Sequence, residues 1–322
     1  MKKHLLRLAF INGLLFLSIC IFAQEYSDFY FTRVNGENGL SESNVKAILQ
    51  DSYGFMWFGT KNGLNRYDGT SILQFDCDDL EEGTGNHNIG ALFEDKERNL
   101  WVGTDRGVYI YNPAVDVFKR FKIASSEGIT LDNWVAEILS DSLDNIWVLI
   151  PDQGLFRYKD GKVHHYSLID KDNLKNNNPE CICINEQGEV WVGTSGIGLF
   201  KYNYRDDNFE QYLTDRMGRS LIDKTIISIC FQKENAILGI HEGDLLKYNT
   251  RTDELSEVSF LGEKKTFLRD VMCFGDEIWV GSLHGIFIIN EKENNVIHLK
   301  EDLMRSFSLS DNSIYSIYKD YE

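Results

Sequence analysis

After residue 23 this sequence contains no long apolar run, so the mature chain has no segment able to span a membrane as a helix. It is also poor in positive charge. Against 50 Asp and Glu stand 33 Lys and Arg, the net charge is −17, and no basic cluster offsets the balance. Such a surface repels nucleic acid and anionic lipid alike, which excludes both as expected partners. Cysteine is sparse: beyond residue 23 there remain Cys77, Cys181, Cys183, Cys230 and Cys273, an odd number at irregular spacing that argues against a disulfide framework. Cys181 and Cys183 form C-x-C rather than C-x-x-C, and no Cys or His stands at zinc-ligand spacing, so neither metal nor other cofactor is expected. Helical periodicity is missing from the mature chain, and proline occurs three times only.

What the chain does have is glycine (26 residues), aromatics (13%) and enough apolar content (43%) to bury a large core. That mixture suits many short strands joined by tight turns. The N-terminus reads as a signal peptide over 1–23: Lys2, Lys3 and Arg7 precede an apolar stretch that ends at Ala23 before the polar QEYSD. An uncleaved anchor is the alternative. Export would remove those three cations and make the chain more acidic still.

The dominant signal is repetition. DSYGFMWFGTKNGLNRYDG (51–69) returns as DKERNLWVGTDRGVYIYNP (95–113), DSLDNIWVLIPDQGLFRYKDG (141–161) and NEQGEVWVGTSGIGLFKYN (185–203). Two diverged copies follow at 233–249 and 275–290. The marker positions Trp57, Trp101, Trp147, Trp191, Ile237 and Trp279 are 44, 46, 44, 46 and 42 residues apart. Each unit parses into four short strands: an apolar run, a W-x-G-T strand, an L-x-x-Y strand and a fourth with alternating aromatics. Four antiparallel strands repeated at this period predict an all-β propeller. Six complete blades are expected near 40–76, 85–122, 131–167, 177–213, 224–260 and 268–300. A partial seventh starts at 308–322, because SLSDNSIYSIYKD matches LSESNVKAILQD at the start of blade one, and 27–34 stands as a closing fourth strand. Strands two and three of that blade are missing, which suggests the N-terminal part of a longer protein; the alternative is a six-bladed ring with an extension. In this alignment Cys183, Cys230 and Cys273 share the column of Leu49, Phe93 and Leu139 and are expected to be free, core-filling thiols.

The segment GLSESNVKAILQDSYGFMWFGTKNGLNRYDG (39–69) closely resembles the two-component-regulator propeller repeats found in the periplasmic half of Bacteroidetes hybrid sensor histidine kinases. The resemblance runs over about 27–322 and weakens in blades five and six. It implies a first propeller preceding a second, then an immunoglobulin-like domain, one membrane helix, a kinase, a receiver and a DNA-binding domain. It also implies a periplasmic location, a glycan fragment as ligand and a second propeller or sensor remainder as partner, with a homodimer also open. No kinase motif occurs in these 322 residues, so the chain itself is not expected to be an enzyme.

The glycines beside Thr60 and Lys61 invite a phosphate-loop reading, but a phosphate loop needs a helix to follow, and here a strand follows. The recurring Trp is a core wedge. Ligand contacts are therefore expected where the repeat varies, at the turns between strands two and three that share the mouth of the ring: Lys61-Asn62, Asp105-Arg106, Asp152-Gln153, Ser195-Gly196, His241-Glu242 and Leu283-His284. Trp134 stands outside the repeating Trp column, where other blades carry Asn44, Asn88 and Asn178. Its ring either stacks on the apolar face of a sugar or folds over a blade junction. The binding residues expected are Trp134, Lys61, Asn62, Asp105, Arg106, His241, Glu242 and His284; none forms a catalytic triad or a metal set. A scaffold for protein partners, or a lyase using His241, Glu242 and His284, are the competing readings.

Overall fold

The computed structural model describes residues 29–75, 88–122, 128–168, 178–260, 266–305 and 307–321. The segment 1–23, expected to be a signal peptide, and Cys77 lie outside them. Six four-stranded antiparallel blades follow in chain order, four as separate sheets and blades four and five joined into one eight-stranded sheet, and the all-β propeller expectation holds. The first strands of successive blades contact one another around the axis, as Val45–Gln50 does with Ile89–Glu94 and Ile222–Gln232 with Leu268–Phe274.

The repeated motif has a structural reason at every letter. In blade one, Asp51 Oδ1 accepts the backbone N–H groups of Tyr53 and Phe55 at 3.0 and 2.9 Å and so holds the first turn. Its Oδ2 accepts the indole N–H of Trp57 at 2.7 Å. Asp95 and Asp141 hold Trp101 and Trp147 in the same way, at 2.8 and 2.9 Å. Hydrogen bonds to a charged acceptor contribute about 1.5–3 kcal/mol each. The Trp rings themselves are almost fully buried between blades; Trp147 is 0% exposed. The Gly of W-x-G-T serves close approach: a Cβ on Gly59 would lie 2.5 Å from Ile89 of the next blade, and one on Gly193 2.6 Å from Ile226. The Thr closes the second turn, with Thr60 Oγ1 donating to Gly63 O at 2.9 Å and accepting from Asn62 N at 3.1 Å.

Residues 312–321 form no ladder but lie between blades six and one. Ile314 N bonds Ser282 O at 2.9 Å, Gly285 N bonds Asn312 O at 2.7 Å, and on the other side Tyr321 N bonds Gln50 Oε1 at 2.7 Å. Ile314 meets Gly281 as Ile89 meets Gly59, so this segment stands where the inner strand of a seventh blade would stand. Residues 29–34 form no strand; Phe29 packs edge-on against Trp279 and Phe31 N bonds Phe307 O.

Two expectations need correction. Cys230 and Cys273 are not free thiols; they form a disulfide across blades five and six. The register explains why: Cys230 pairs with Ile237 and so occupies the repeat column, but in blade six that column belongs to Met272, which pairs with Trp279. Cys273 is one residue further on, and a one-residue step turns a strand side chain to the opposite face. Cys230 therefore looks forward to blade six while Cys273 looks back at it, and both join the core shared by those blades. Cys181 and Cys183 are free, and burial pushes both thiols up, Cys183 to about 12. The second correction concerns blade four, where Ser195-Gly196 is no turn. Its second strand runs on through Ile197, pairs Ser195 with Thr225 of blade five, and turns only at Gly198.

Candidate functional site

The first strand of each blade carries a β-bulge at the level of the second turn. The register slips between Val45 and Ala47, Ile89 and Ala91, Pro179 and Cys181, Ile226 and Ser228, and Leu268 and Asp270. In blade three, Ala136 N bonds Leu149 O while Glu137 pairs with Leu149, so two residues again oppose one. A bulge leaves its extra residue unpaired and re-aims its side chain. The extra residues are Lys46, Gly90, Ala136, Glu180, Ile227 and Arg269, with Tyr315 in the equivalent place of the seventh segment. All keep more exposure than the flanking core positions Ala47, Ala91, Cys181 and Leu268. They form a ring at the mouth in which no side chain occurs twice.

Trp134 belongs to this ring and is half-buried. A Cβ on Gly90 would lie 2.5 Å from its six-membered ring, so the indole rests on bare backbone of blade two, and Lys46 Nζ of blade one lies 4.8 Å from its centroid. Lys46 reaches two blades round because Gly90 between them has no side chain. An exposed cation–π contact of this kind stabilises by about 0.5–1 kcal/mol. Across the mouth, the Arg269 guanidinium lies 5.6 Å from the centroid of the exposed Tyr315. Among the described residues neither Lys46 nor Arg269 has an ion-paired carboxylate. Glu180 faces blades three and five: burial holds its carboxyl above the usual range, His241 draws it down and Asp152 pushes it up.

The other expected residues divide. His241 is half-buried with its ring 5.1 Å from that of Phe267, and His284 Nδ1 lies 2.6 Å from Thr266 Oγ1. Both imidazoles are thus engaged by the segment between them. Asp105 and Arg106 are exposed at the blade-two turn, where Asp105 N bonds Asn88 O at 3.0 Å and Arg106 O accepts from Arg120 at 3.1 Å. Lys61, Asn62 and Glu242 are exposed turn residues. No described hydrogen bond or ion pair joins Lys61, Arg106 or Glu242 to Trp134. Sequence reasoning missed Lys46, Glu180, Arg269, Tyr315 and Phe267. The signal was present: the column between the apolar pairs of strand one reads Lys, Gly, Ala, Glu, Ile, Arg, Tyr.

Below the ring, two carboxylates line the channel where other blades have small residues. Glu137 Oε2 accepts Ile182 N of the next blade at 2.6 Å, and Asp270 Oδ2 accepts Ile317 N at 2.8 Å. Burial pushes Glu137 up to about 8, the bond from Ile182 opposes this, and the Asp270 charge adds to it. Burial likewise raises Asp270 despite bonds from Ile317, Ser228 and Val271. Among the described residues no group of three His, Cys, Asp or Glu is placed to hold a metal ion. Elsewhere, a cavity of about 600 Å³ opens beside Phe29, Phe31, Met304 and Phe307, and Tyr30, Met304 and Phe307 are exposed there.

Comparison with known proteins agrees with this architecture. The family model described as two component regulator propeller matches residues 39–62 and 83–106. A histidine kinase of Formosa agariphila, P4, is 46% identical over 54 residues, which is 17% of this chain and 4% of that protein. Two solved structures from B. thetaiotaomicron superpose on it. They are extracellular domains of BT4673 and BT3049, each described as a hybrid two-component system. Both are 23% identical and cover 91% of this chain, with TM-scores of 0.75 and 0.72. The chain spans 38% and 39% of those structures. No described helix is long and apolar enough to cross a membrane. The chain is a β-propeller whose residues 39–62 and 83–106 match two-component regulator propeller repeats.

Proposed function

We propose that this chain is the ligand-sensing propeller of the periplasmic part of a hybrid two-component system, and that it binds an oligosaccharide at its mouth. The observation that carries the reading is the ring of bulge residues, in which a repeating scaffold presents Lys46, Glu180, Arg269, Tyr315 and the indole of Trp134 at one opening. Aromatic faces beside hydrogen-bonding groups suit the alternating apolar and hydroxyl surfaces of a sugar. A ligand there would displace the Lys46 ammonium from the indole, at small cost by the magnitude above.

Signalling would pass to parts of the protein beyond this chain, and requires the ligand to favour one arrangement of those parts over another. The exposed apolar surface around Tyr30, Met304 and Phe307 supports a second propeller or sensor remainder as the partner. The reading includes no catalytic step, since His241 and His284 spend their rings on Phe267 and Thr266. A thermal-shift screen of oligosaccharides tests it: a binder of the native state raises the melting temperature, and Trp134→Ala should remove that rise. A panel without one stabilising oligosaccharide would count against it.

A further inference from the structure

The blade junctions differ in what fills them on the face of the first turns. At the junction of blades three and four, Arg157 pairs with Asp207 at 3.0 Å, and the Tyr204 hydroxyl donates to Asp141 Oδ2 at 2.8 Å. At the junction of blades five and six, Lys247 pairs with Glu291 at 2.6 Å. Arg66 stands at the same place in blade one, opposite Trp57 as Arg157 is opposite Trp147 and Lys247 opposite Ile237. The residue corresponding to Tyr204 and Glu291 is Pro113, which offers neither hydroxyl nor carboxylate. Here the junction is open: a crevice of about 230 Å³ is lined by Arg66, Arg98, Tyr53, Glu94, Tyr111 and Pro113.

The counterpart of Asp207 is Asp116, which accepts the Tyr111 hydroxyl at 2.8 Å and forms no ion pair with Arg66, while the carboxylate of Glu291 and the hydroxyl of Tyr204 have no counterpart here. Arg66 lies over Phe55 at 4.5 Å and has no ion-paired carboxylate among the described residues. Asp51 Oδ2 takes the Trp57 indole N–H, but no tyrosine hydroxyl joins it as Tyr204 joins Trp147 on Asp141. The other carboxylate in the crevice, Glu94, is engaged, accepting from Ser52 N and Oγ at 2.7 and 2.8 Å. Arg98 sits 4.9 Å from the ring of Tyr53 at the rim.

We infer that the crevice between blades one and two binds a sugar ring that carries both a carboxylate and hydroxyls, a hexuronate residue. Its carboxylate takes the place of Glu291 on Arg66, one hydroxyl takes the place of the Tyr204 hydroxyl on Asp51, and its apolar face lies along the exposed Tyr53. Arginine suits a planar carboxylate through paired N–H donors. The site is on the opposite face from the mouth and does not rest on the mouth reading.

The test is calorimetric titration of the whole chain with glucuronate and galacturonate, using glucose and galactose as neutral controls. Uronate should bind at least about tenfold more tightly than its neutral counterpart, as expected for a charge-assisted contact. Arg66→Gln should lose that preference. Pro113→Tyr, which copies the filling of the blade three–four junction, should abolish binding while shifting the melting temperature by no more than ~2 °C. Trp134→Ala should leave uronate binding unchanged, which separates this site from the mouth. The inference is overturned if uronate does not bind, or binds Pro113→Tyr as well as the parent. Binding of 3-(4-hydroxyphenyl)propanoate without uronate binding would assign the crevice to a protein side chain and overturn it equally.

Discussion

On the face of the ring that carries the first turns, blades one, two and three each hold a Trp indole on an Asp carboxylate in the same way. On the mouth face, no two blades present the same bulge residue. The first set packs into the core between neighbouring blades, so Asp, Trp, Gly and Thr recur. The second set faces an opening where no neighbour constrains it, and there Lys46, Glu180, Arg269 and Tyr315 diverge. Repetition marks what the fold requires, and departure from repetition marks where a ligand is read. The crevice at Pro113 is a departure on the repeating face, which is why it stands out.

That contrast breaks if mouth residues prove as important for stability as wedge residues. Trp147→Ala removes a fully buried ring and one donor to the Asp141 carboxylate; burial pushes Asp141 up, and bonds from Trp147, Asn145 and Tyr204 outweigh that to hold it below its ordinary value. The expected loss is about 3–5 kcal/mol in urea unfolding. Next comes the disulfide. Replacing Cys230 and Cys273 together by Ala opens a link 43 residues apart and should cost about 2–5 kcal/mol, read as a lower urea midpoint. No effect would mean that the blade five–six junction is held by its apolar core alone.

The channel carboxylates give a pH signature. The folded state raises Glu137 to about 8 from 4.5, so between those values the native protein holds a proton the unfolded chain has released. The associated stability is complete below about pH 4.5 and is lost as pH rises through about 8. Asp270, also raised, acts with the same sign. Glu137→Gln keeps an acceptor for Ile182 N and should flatten the decline between pH 5 and 8, by on the order of 1–3 kcal/mol after allowance for incomplete burial. An unchanged pH profile would contradict the assignment. Smallest of all, Lys46→Ala and Trp134→Ala should each move stability by less than about 1 kcal/mol.

The fold was legible because a core wedge must recur: Trp57, Trp101, Trp147 and Trp191 could be aligned without knowing any contact. The bulges were not, since an added residue in strand one changes no spacing between Trp markers. Cys273 misled for a related reason. Only the pairing of Met272 with Trp279 reveals that Cys273 points backwards, since it stands one residue nearer its marker than Cys230 stands to Ile237. Turn residues such as Lys61 and His284 were found because they vary, but variation at exposed turns also follows from mere solvation. Lys46 and Glu180 vary beside buried neighbours, which is the more specific sign.

The most direct test of the central claim is titration of a stabilising oligosaccharide into the parent chain and a Lys46→Ala, Trp134→Ala, Arg269→Ala triple variant, with urea unfolding of both. The account predicts loss of affinity by at least about a hundredfold in the variant, with unfolding midpoints that stay close. Equal affinity in the two proteins would contradict it.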